Sequence, residues 1–487
     1  MSDVITTISQ YLVIFFMVIY VIDCFTYFTA KGRKRRTRNL NVQVSCIFII
    51  HFLCHVCLFL NQGQKAEIII YYIVEIVIAI LYIVFYHMAY KHASRLLTNN
   101  IAFLMLIGYT MLLRLNQGQA VRQFIFASVG LIGTAFIPLI LDKLSNFRNW
   151  RTFFGVAGII FLATVFVPGL RMSMNGSSNW ISIFGVSVQP MEFVKILFIL
   201  FTASSLVKVS TFRELLVNAL IAASFMLILI AENDFGAVMI FYVCYIMMVY
   251  LATSRPVFAI GGFALMVIAV FAGYVLFKHT LFYHIIVRVH AWQDPFKYQQ
   301  TDGYQVSESL FGIGTGGFIG SGLGRGMPYL IPVAESDFIF SSICEELGVI
   351  FGICLILIYL SSFIAMTNVA RQCKDPFYKY VTFGISITYI LQVILNIGGA
   401  IKFIPSTGVT LPLVSYGVSS VFSTLIMFAF VQYTYTLVSK EVDKIEDEKF
   451  KLRRAAERAQ LEENNEKSTS GRRNSWNAGT HSARRGY

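Results

Sequence analysis

The sequence predicts an all-α polytopic integral membrane protein of about thirteen transmembrane helices, with a large extracytoplasmic loop before Asp337. Three observations predict it. Hydrophobic residues make up 56% of the 487-residue chain and charged residues only 13%, more apolar surface than a water-soluble domain could hide. Apolar runs of about 20 residues, the length that crosses a bilayer core, recur from residue 8 to residue 437. The basic residues fall in alternate turns between those runs, as they do when positive charge is kept on the cytoplasmic side.

In chain order, residues 1–98 hold three spans, separated by the basic turn KGRKRRTRN and the short polar turn NQGQKAE, and carry no chemical motif. The first run, Ile8 to Ala30, is too long for a signal peptide and has no small-residue cleavage site, so it reads as a retained helix. Residues 99–438 hold the remaining ten spans and two glycine-rich outer loops, 170–192 and 278–337. Residues 439–487 open as a charged helix former and end in a Ser, Asn, Gly and Arg mixture that reads as a disordered cytoplasmic tail.

The net charge of +13 does not imply nucleic acid, because it is spread over these turns. Lys31 to Arg38, Lys91 to Arg95, Lys143 to Arg151, Lys208 to Arg213, Arg255, and Arg371 to Lys379 lie in alternate loops assigned to the cytoplasm. That places the N-terminus outside and the C-terminus inside. Seven of the eight cysteines sit in apolar runs and Cys373 in a cytoplasmic loop, so no disulfide framework is implied.

Ionisable residues within apolar runs are functional candidates by default, since each costs about 2.5 kcal/mol or more in hydrocarbon. Glu192 and Lys195 are three apart and share one helix face, as an ion pair or as substrate contacts. Asp234, in ENDFGAV, stands where the helical pattern breaks and fits a helix cap better than direct chemistry. The segment from Arg288 to Asp337 contains Trp292, Asp294, Lys297, Tyr304 and Gln305, then a run in which eight of the fifteen residues from Gly312 to Gly326 are glycine. Such backbone can approach a ligand and offer N–H groups to phosphate. The dinucleotide fingerprint it imitates is rejected, because no βαβ unit surrounds it.

Asp337 follows, where the chain re-enters the bilayer. A partly desolvated carboxylate there suits a general base, with a helix cap as the alternative. Glu345 and Glu346 read as paired inside the bundle. Residues 396–420, which include Lys402 and Ser415, read as a broken-helix loop. His51 and His55 have the i, i+4 spacing of a metal pair, but no carboxylate accompanies them in the sequence, so they read as packing residues.

Together these segments resemble the SEDS family (shape, elongation, division and sporulation), which includes RodA, FtsW and SpoVE. NWISIFGVSVQPMEFVK, NDFGAV, RVHAWQDP, GYQVSESLFGIGTGGFIGSGLGRG, ESDFIFSSICEELG and NIGGAIKFIPSTGVTLPLVSYGVSS fall in the family's order across about 340 residues. The resemblance implies a ten-helix core preceded here by three extra helices. It implies a bacterial cytoplasmic membrane enzyme that polymerises lipid II at the outer face, with a class B penicillin-binding protein as its transpeptidase partner. It places the catalytic residue at Asp337. Glu192, Lys195, Asp234, Arg288, Tyr304, Gln305, Lys402 and Ser415 are the accompanying substrate-binding candidates. No cofactor is required by the motifs, although magnesium or manganese is a candidate to neutralise the leaving pyrophosphate.

Several positions depart from the family pattern: Asn179 for Arg, Met191 for Ser, Glu232-Asn233 for Gln-Pro, Lys402 for Gly and Val418 for Gly. The competing readings are a flippase for lipid-linked oligosaccharide and an inactive scaffold for a transpeptidase.

Overall fold

The computed structural model describes residues 2–144, 146–174, 177–183, 186–277 and 283–482. The N-terminal helices are α1 (Ser2–Thr29), α2 (Arg33–Asn61) and α3 (Ala66–Ala89). Next come α4 (Arg95–Leu115), α5 (Gln117–Ala135) with its continuation α6 (Ile137–Lys143), α7 (Arg151–Ala163), α8 (Pro190–Leu206), α9 (Phe212–Ala231), α10 (Phe235–Thr253) and α11 (Pro256–Phe277). The chain ends with α12 (Tyr283–Gln293), α13 (Tyr304–Gly316), α14 (Ile339–Leu347), α15 (Val349–Gln372), α16 (Pro376–Ala400) and α17 (Val418–Ser482).

Among the described residues, eleven helices are long and apolar enough to cross a membrane. The difference from the expected thirteen falls on α7 and α8. The first is only 13 residues long. The second has 17 and carries Glu192 and Lys195 within its first two turns.

Local chemistry sets the helix starts. Thr211 and Glu214 form a capping box at α9, each side chain satisfying the other's backbone N–H. Asp375 Oδ1 accepts from the N–H groups of Phe377 and Tyr378 ahead of Pro376, a residue whose missing N–H costs nothing in a first turn.

Residues up to Tyr435 form one compact unit. Its centre is α4, whose apolar window is buried throughout. Polar side chains fasten neighbours to it: Asn100 Nδ2 donates to Ser361 Oγ and Ser362 Oγ on α15 at 3.0 and 2.8 Å, and its Oδ1 accepts from Tyr20 on α1 at 2.8 Å. Asn99 donates to Leu40 O and Gln43 Oε1 on α2. Such bonds hold helices together where lipid gives apolar side chains no reason to associate. The three N-terminal helices are therefore packed on the core, α1 against α2 and α15, α2 and α3 against α4.

The departure from an all-helical chain is a small antiparallel sheet in the loop before α8: β1 (Arg171–Met174), β2 (Ser177–Ile183) and β3 (Val186–Val188). The central strand pairs Ile181 with Arg171 on one side and with Val188 on the other.

The second unit begins at Thr436 and is helical to Ser482, where the composition predicts disorder after a charged helix. No proline interrupts this stretch, and Glu, Lys, Arg and Ala dominate its first part. Residues 483–487 of the expected tail lie outside the described residues.

Candidate active site

Asp337 sits one residue before the cap of α14, and its surroundings come from three distant parts of the chain. Ser336 Oγ is 3.2 Å from Asp337 Oδ1. Asn396, near the end of α16, donates both to the Asp337 carbonyl at 3.1 Å and to the Val409 carbonyl at 2.8 Å. Ser415 donates to the Ser336 carbonyl at 2.5 Å and accepts from Leu411 N at 2.9 Å, while Tyr416 N donates to the Glu335 carbonyl at 2.7 Å. The broken-helix segment 401–417 is thus sewn to the two residues before the acid, and Asn396 joins the acid's own carbonyl to Val409. Ser415 is fully buried, so its place is to hold the Asp337 turn in position.

Within that segment Gly408 has φ +74°, and a Cβ there would stand 3.7 Å from Asp337 Oδ2 and 3.8 Å from an Arg288 terminal nitrogen. The carboxylate and the guanidinium therefore face one small patch of backbone. Arg288, on α12, also donates to the Ser406 carbonyl at 3.2 Å, and Trp292 one turn later donates to the Lys402 carbonyl at 3.1 Å. Burial pushes the Asp337 carboxyl above the ordinary carboxylate range. The Ser336 hydroxyl and the Arg288 charge pull the other way without reversing this.

Asp234 caps α10, accepting from Ala237 N at 3.0 Å. Its other oxygen accepts from Asn179 Nδ2 at 2.6 Å and Gln189 Nε2 at 3.4 Å. Asn179, on β2, occupies a position where the family pattern has Arg, and here it is the partner of this cap. Gly236 lets α10 pack against Thr407 and Val409, the residues on either side of Gly408. Burial holds Asp234 above its usual range, and Arg288 is among the groups that lower it, so one guanidinium acts on both acids.

A further acid was not singled out in the sequence. Glu232 is buried beside Asp234, and burial together with that neighbour raises its carboxyl to about 8. Only its departure from the family's Gln signalled it.

Glu192 and Lys195 are 2% and 1% exposed, and each is the other's charged partner. Lys195 Nζ also donates to Gln392 at 3.0 Å, and Ser423 donates to Glu192 at 2.8 Å. Lys402 stands with φ +59° just after α16. Tyr304 and Gln305 are exposed on the first turn of α13, and no contact described here brings them to Asp337.

Part of the glycine run serves close backbone packing. Gly312, Gly314 and Gly316 lie within α13, and a Cβ on Gly316 would fall 2.2 Å from the Cys344 carbonyl oxygen. At Gly320, with φ +95°, it would fall 2.4 Å from the Glu346 oxygen. These glycines let the loop lie directly on α14. Its far end is held by the N-terminal helices: Gln10 Nε2 donates to the carbonyls of Ile319 and Gly320, Asn61 Nδ2 to that of Leu323 at 2.7 Å, and Arg325 pairs with Asp3 at 2.6 Å. Arg325 is thereby committed away from Asp337. Glu346 pairs with Arg114 at 2.9 Å and Glu345 accepts from Met327 N at 2.6 Å, the internal pairing read from the sequence.

Residues 92–438 match the family described as cell cycle proteins of the FtsW, RodA and SpoVE type. The chain belongs to this family.

Among its relatives, the peptidoglycan glycosyltransferase RodA of Mycobacterium bovis is 32% identical over 325 residues, covering 63% of this chain and 68% of that one. The stage V sporulation protein E of Bacillus subtilis is 33% identical over 318 residues, 64% of this chain and 84% of that one. The fold of this FtsW/RodA/SpoVE member is also that of solved structures. Thermus thermophilus RodA superposes with a TM-score of 0.53 at 21% identity, over 70% of this chain and 96% of that one. A chain from a peptidoglycan synthase complex that coordinates polymerization and crosslinking gives 0.59 at 22%, over 70% and 97%. The match begins after α3, so α1 to α3 lie ahead of the family's own residues.

Proposed function

We propose that this chain is a peptidoglycan glycosyltransferase serving cell shape, division or sporulation, that it polymerises lipid II, and that Asp337 is its general base. The observation that carries the reading is the meeting of Asp337, Arg288 and Gly408 at one point of a chain whose named relatives are peptidoglycan glycosyltransferases. Glycan extension removes a proton from an acceptor sugar hydroxyl while a pyrophosphate departs from the donor. A carboxylate that holds a proton more firmly than an exposed one suits the first step. The adjacent guanidinium suits the growing charge of the second, because Arg presents several fixed donors to phosphate oxygens.

Among the candidate cations, the contacts favour Arg288. Arg288 faces the acid, Arg325 and Lys195 are engaged elsewhere, and Lys402 stands on the same broken-helix segment as Gly408. Asp234, Glu192 and Lys195 support the wall of the site. Among the described residues, no three carboxylate, His or Cys ligands cluster at Asp337. Magnesium or manganese would therefore be held largely by the substrate's own phosphates, and no step is assigned to it.

The site side of the bundle is the extracytoplasmic one in this reading. The Asp3 to Arg325 pair puts the start of α1 on that side, and the basic turns between spans support the N-terminus outside and the C-terminus in the cytoplasm. A cysteine in place of Asp3 should react with an impermeant maleimide added to intact cells. Labelling only after lysis would invert the topology. A transpeptidase of the penicillin-binding class is the proposed partner, because one matching structure belongs to a complex that joins polymerization to crosslinking.

The test is the purified chain supplied with lipid II and that partner. Glycan polymer is the expected product. Movement of lipid II between leaflets with no polymer would favour a flippase instead.

A further inference from the structure

The helices ahead of the family's residues hold a cluster that glycan extension does not use. His51 and His55 are one turn apart on α2, and Glu75 meets them from α3. His51 Nε2 is 2.8 Å and His55 Nε2 3.4 Å from the same oxygen, Glu75 Oε2. The three side chains are 1%, 4% and 5% exposed. Glu75 lies nine residues into its helix, about 13 Å from its start at about 1.5 Å per residue. The sequence reading set this histidine pair aside for want of a carboxylate. The fold supplies one from a different helix, beyond the reach of local spacing.

Hydrogen bonding decides what the cluster can hold. His55 Nδ1 is 3.1 Å from the His51 carbonyl oxygen, which can only accept, so the ring proton stands on Nδ1. Nε2 is then a lone pair aimed at Glu75, and among the described residues nothing donates to it. With His51 donating through Nε2–H and a protonated Glu75 donating to His55, protons also link these groups, but only pair by pair.

A cation meets all three groups at once. Ligands held about 2.0–2.1 Å from a tetrahedral ion lie roughly 3.3–3.4 Å from one another. The two separations to Glu75 are 2.8 and 3.4 Å, and all three ligand atoms lie within 4.8 Å of one another, within reach of one ion after small side-chain movements. A metal-bound histidine commonly donates its other N–H to a backbone carbonyl, as His55 does. The Tyr109 hydroxyl on α4 is also buried without a hydrogen-bond partner among the described residues.

We propose that His51, His55 and Glu75 form a binding site for one divalent transition-metal ion of the zinc class, tying α2 to α3 inside the membrane. Two imidazoles and one carboxylate are donors of the zinc type, whereas calcium and magnesium take oxygen ligands. A water fills the fourth position.

The test uses the full chain in detergent or nanodiscs, stripped with a chelator and then equilibrated with zinc or cobalt. The expected result is one ion per chain, a visible absorption of four-coordinate cobalt, and a higher Tm with zinc than without. His55→Gln and Glu75→Gln should each lose the cobalt spectrum and the zinc-dependent rise in Tm, and their unfolding transitions in chelator show that they are folded. Wild-type chain that takes up no cobalt in a four-coordinate site would overturn the proposal. So would folded variants that bind as the wild type does.

Discussion

Asp337→Asn is expected to lower the polymerisation rate by about 10²- to 10⁴-fold, the contribution of a positioned general base, while leaving the unfolding transition near that of the wild type. The substitution keeps the size of the side chain and its contact with Ser336. The bonds from Asn396, Ser415 and Tyr416 that hold this turn all go to backbone carbonyls, so they survive it. The pH profile gives a second measure. The base works ionised, and burial raises its carboxyl, so the rate should fall with decreasing pH at a higher pH than an exposed aspartate would give. Arg288 lowers the same carboxyl, hence Arg288→Gln should move that acidic limb further up in pH as well as reduce the rate. Full polymerisation by Asp337→Asn would remove Asp337 from the mechanism. An acidic limb that Arg288→Gln leaves in place would remove Arg288 from its electrostatic role.

How far this site was legible in the sequence depended on whether each partner was close in the chain. Asp234 as a cap, Glu192 with Lys195, and the internal pairing of Glu345 and Glu346 rest on spacings of three or four residues, or on the rule that buried charge needs company. Each could be read from the residues alone. The span pattern was equally local, and the two expected spans beyond the eleven long apolar helices, α7 and α8, are short or charged. Partners separated by long stretches of chain were not legible. Nothing in the sequence couples Gln10 and Asn61 to residues 319–323, Asn179 to Asp234, or Glu75 to His51, because only packing decides which helix faces which. The glycine run shows the same limit. Its composition permits either ligand contact or close backbone packing, and the choice is made by the position of α14, whose carbonyls occupy the space a Cβ would need.

Lys195→Met is expected to destabilise the chain by about 3–5 kcal/mol, the usual cost of removing one partner of a buried ion pair. Both side chains are almost wholly enclosed, and Glu192 would keep only the Ser423 hydroxyl as a donor. Glu192→Gln should be costly in the same way, because it leaves the buried Lys195 ammonium facing amide oxygens with no countercharge. The double variant separates the two roles open to the pair. With both charges gone there is no uncompensated ion, so much of the lost stability should return, and the coupling measured by the four proteins should be of the order of 1–3 kcal/mol. Thermal unfolding in nanodiscs supplies those values. A double variant no more stable than the sum of the single changes allows would show that the two charges do not depend on each other. Activity then distinguishes scaffold from substrate contact. If the pair only holds α8 against α16 and α17, polymerisation returns with stability in the double variant. If Lys195 meets the departing pyrophosphate, the refolded double variant remains slow.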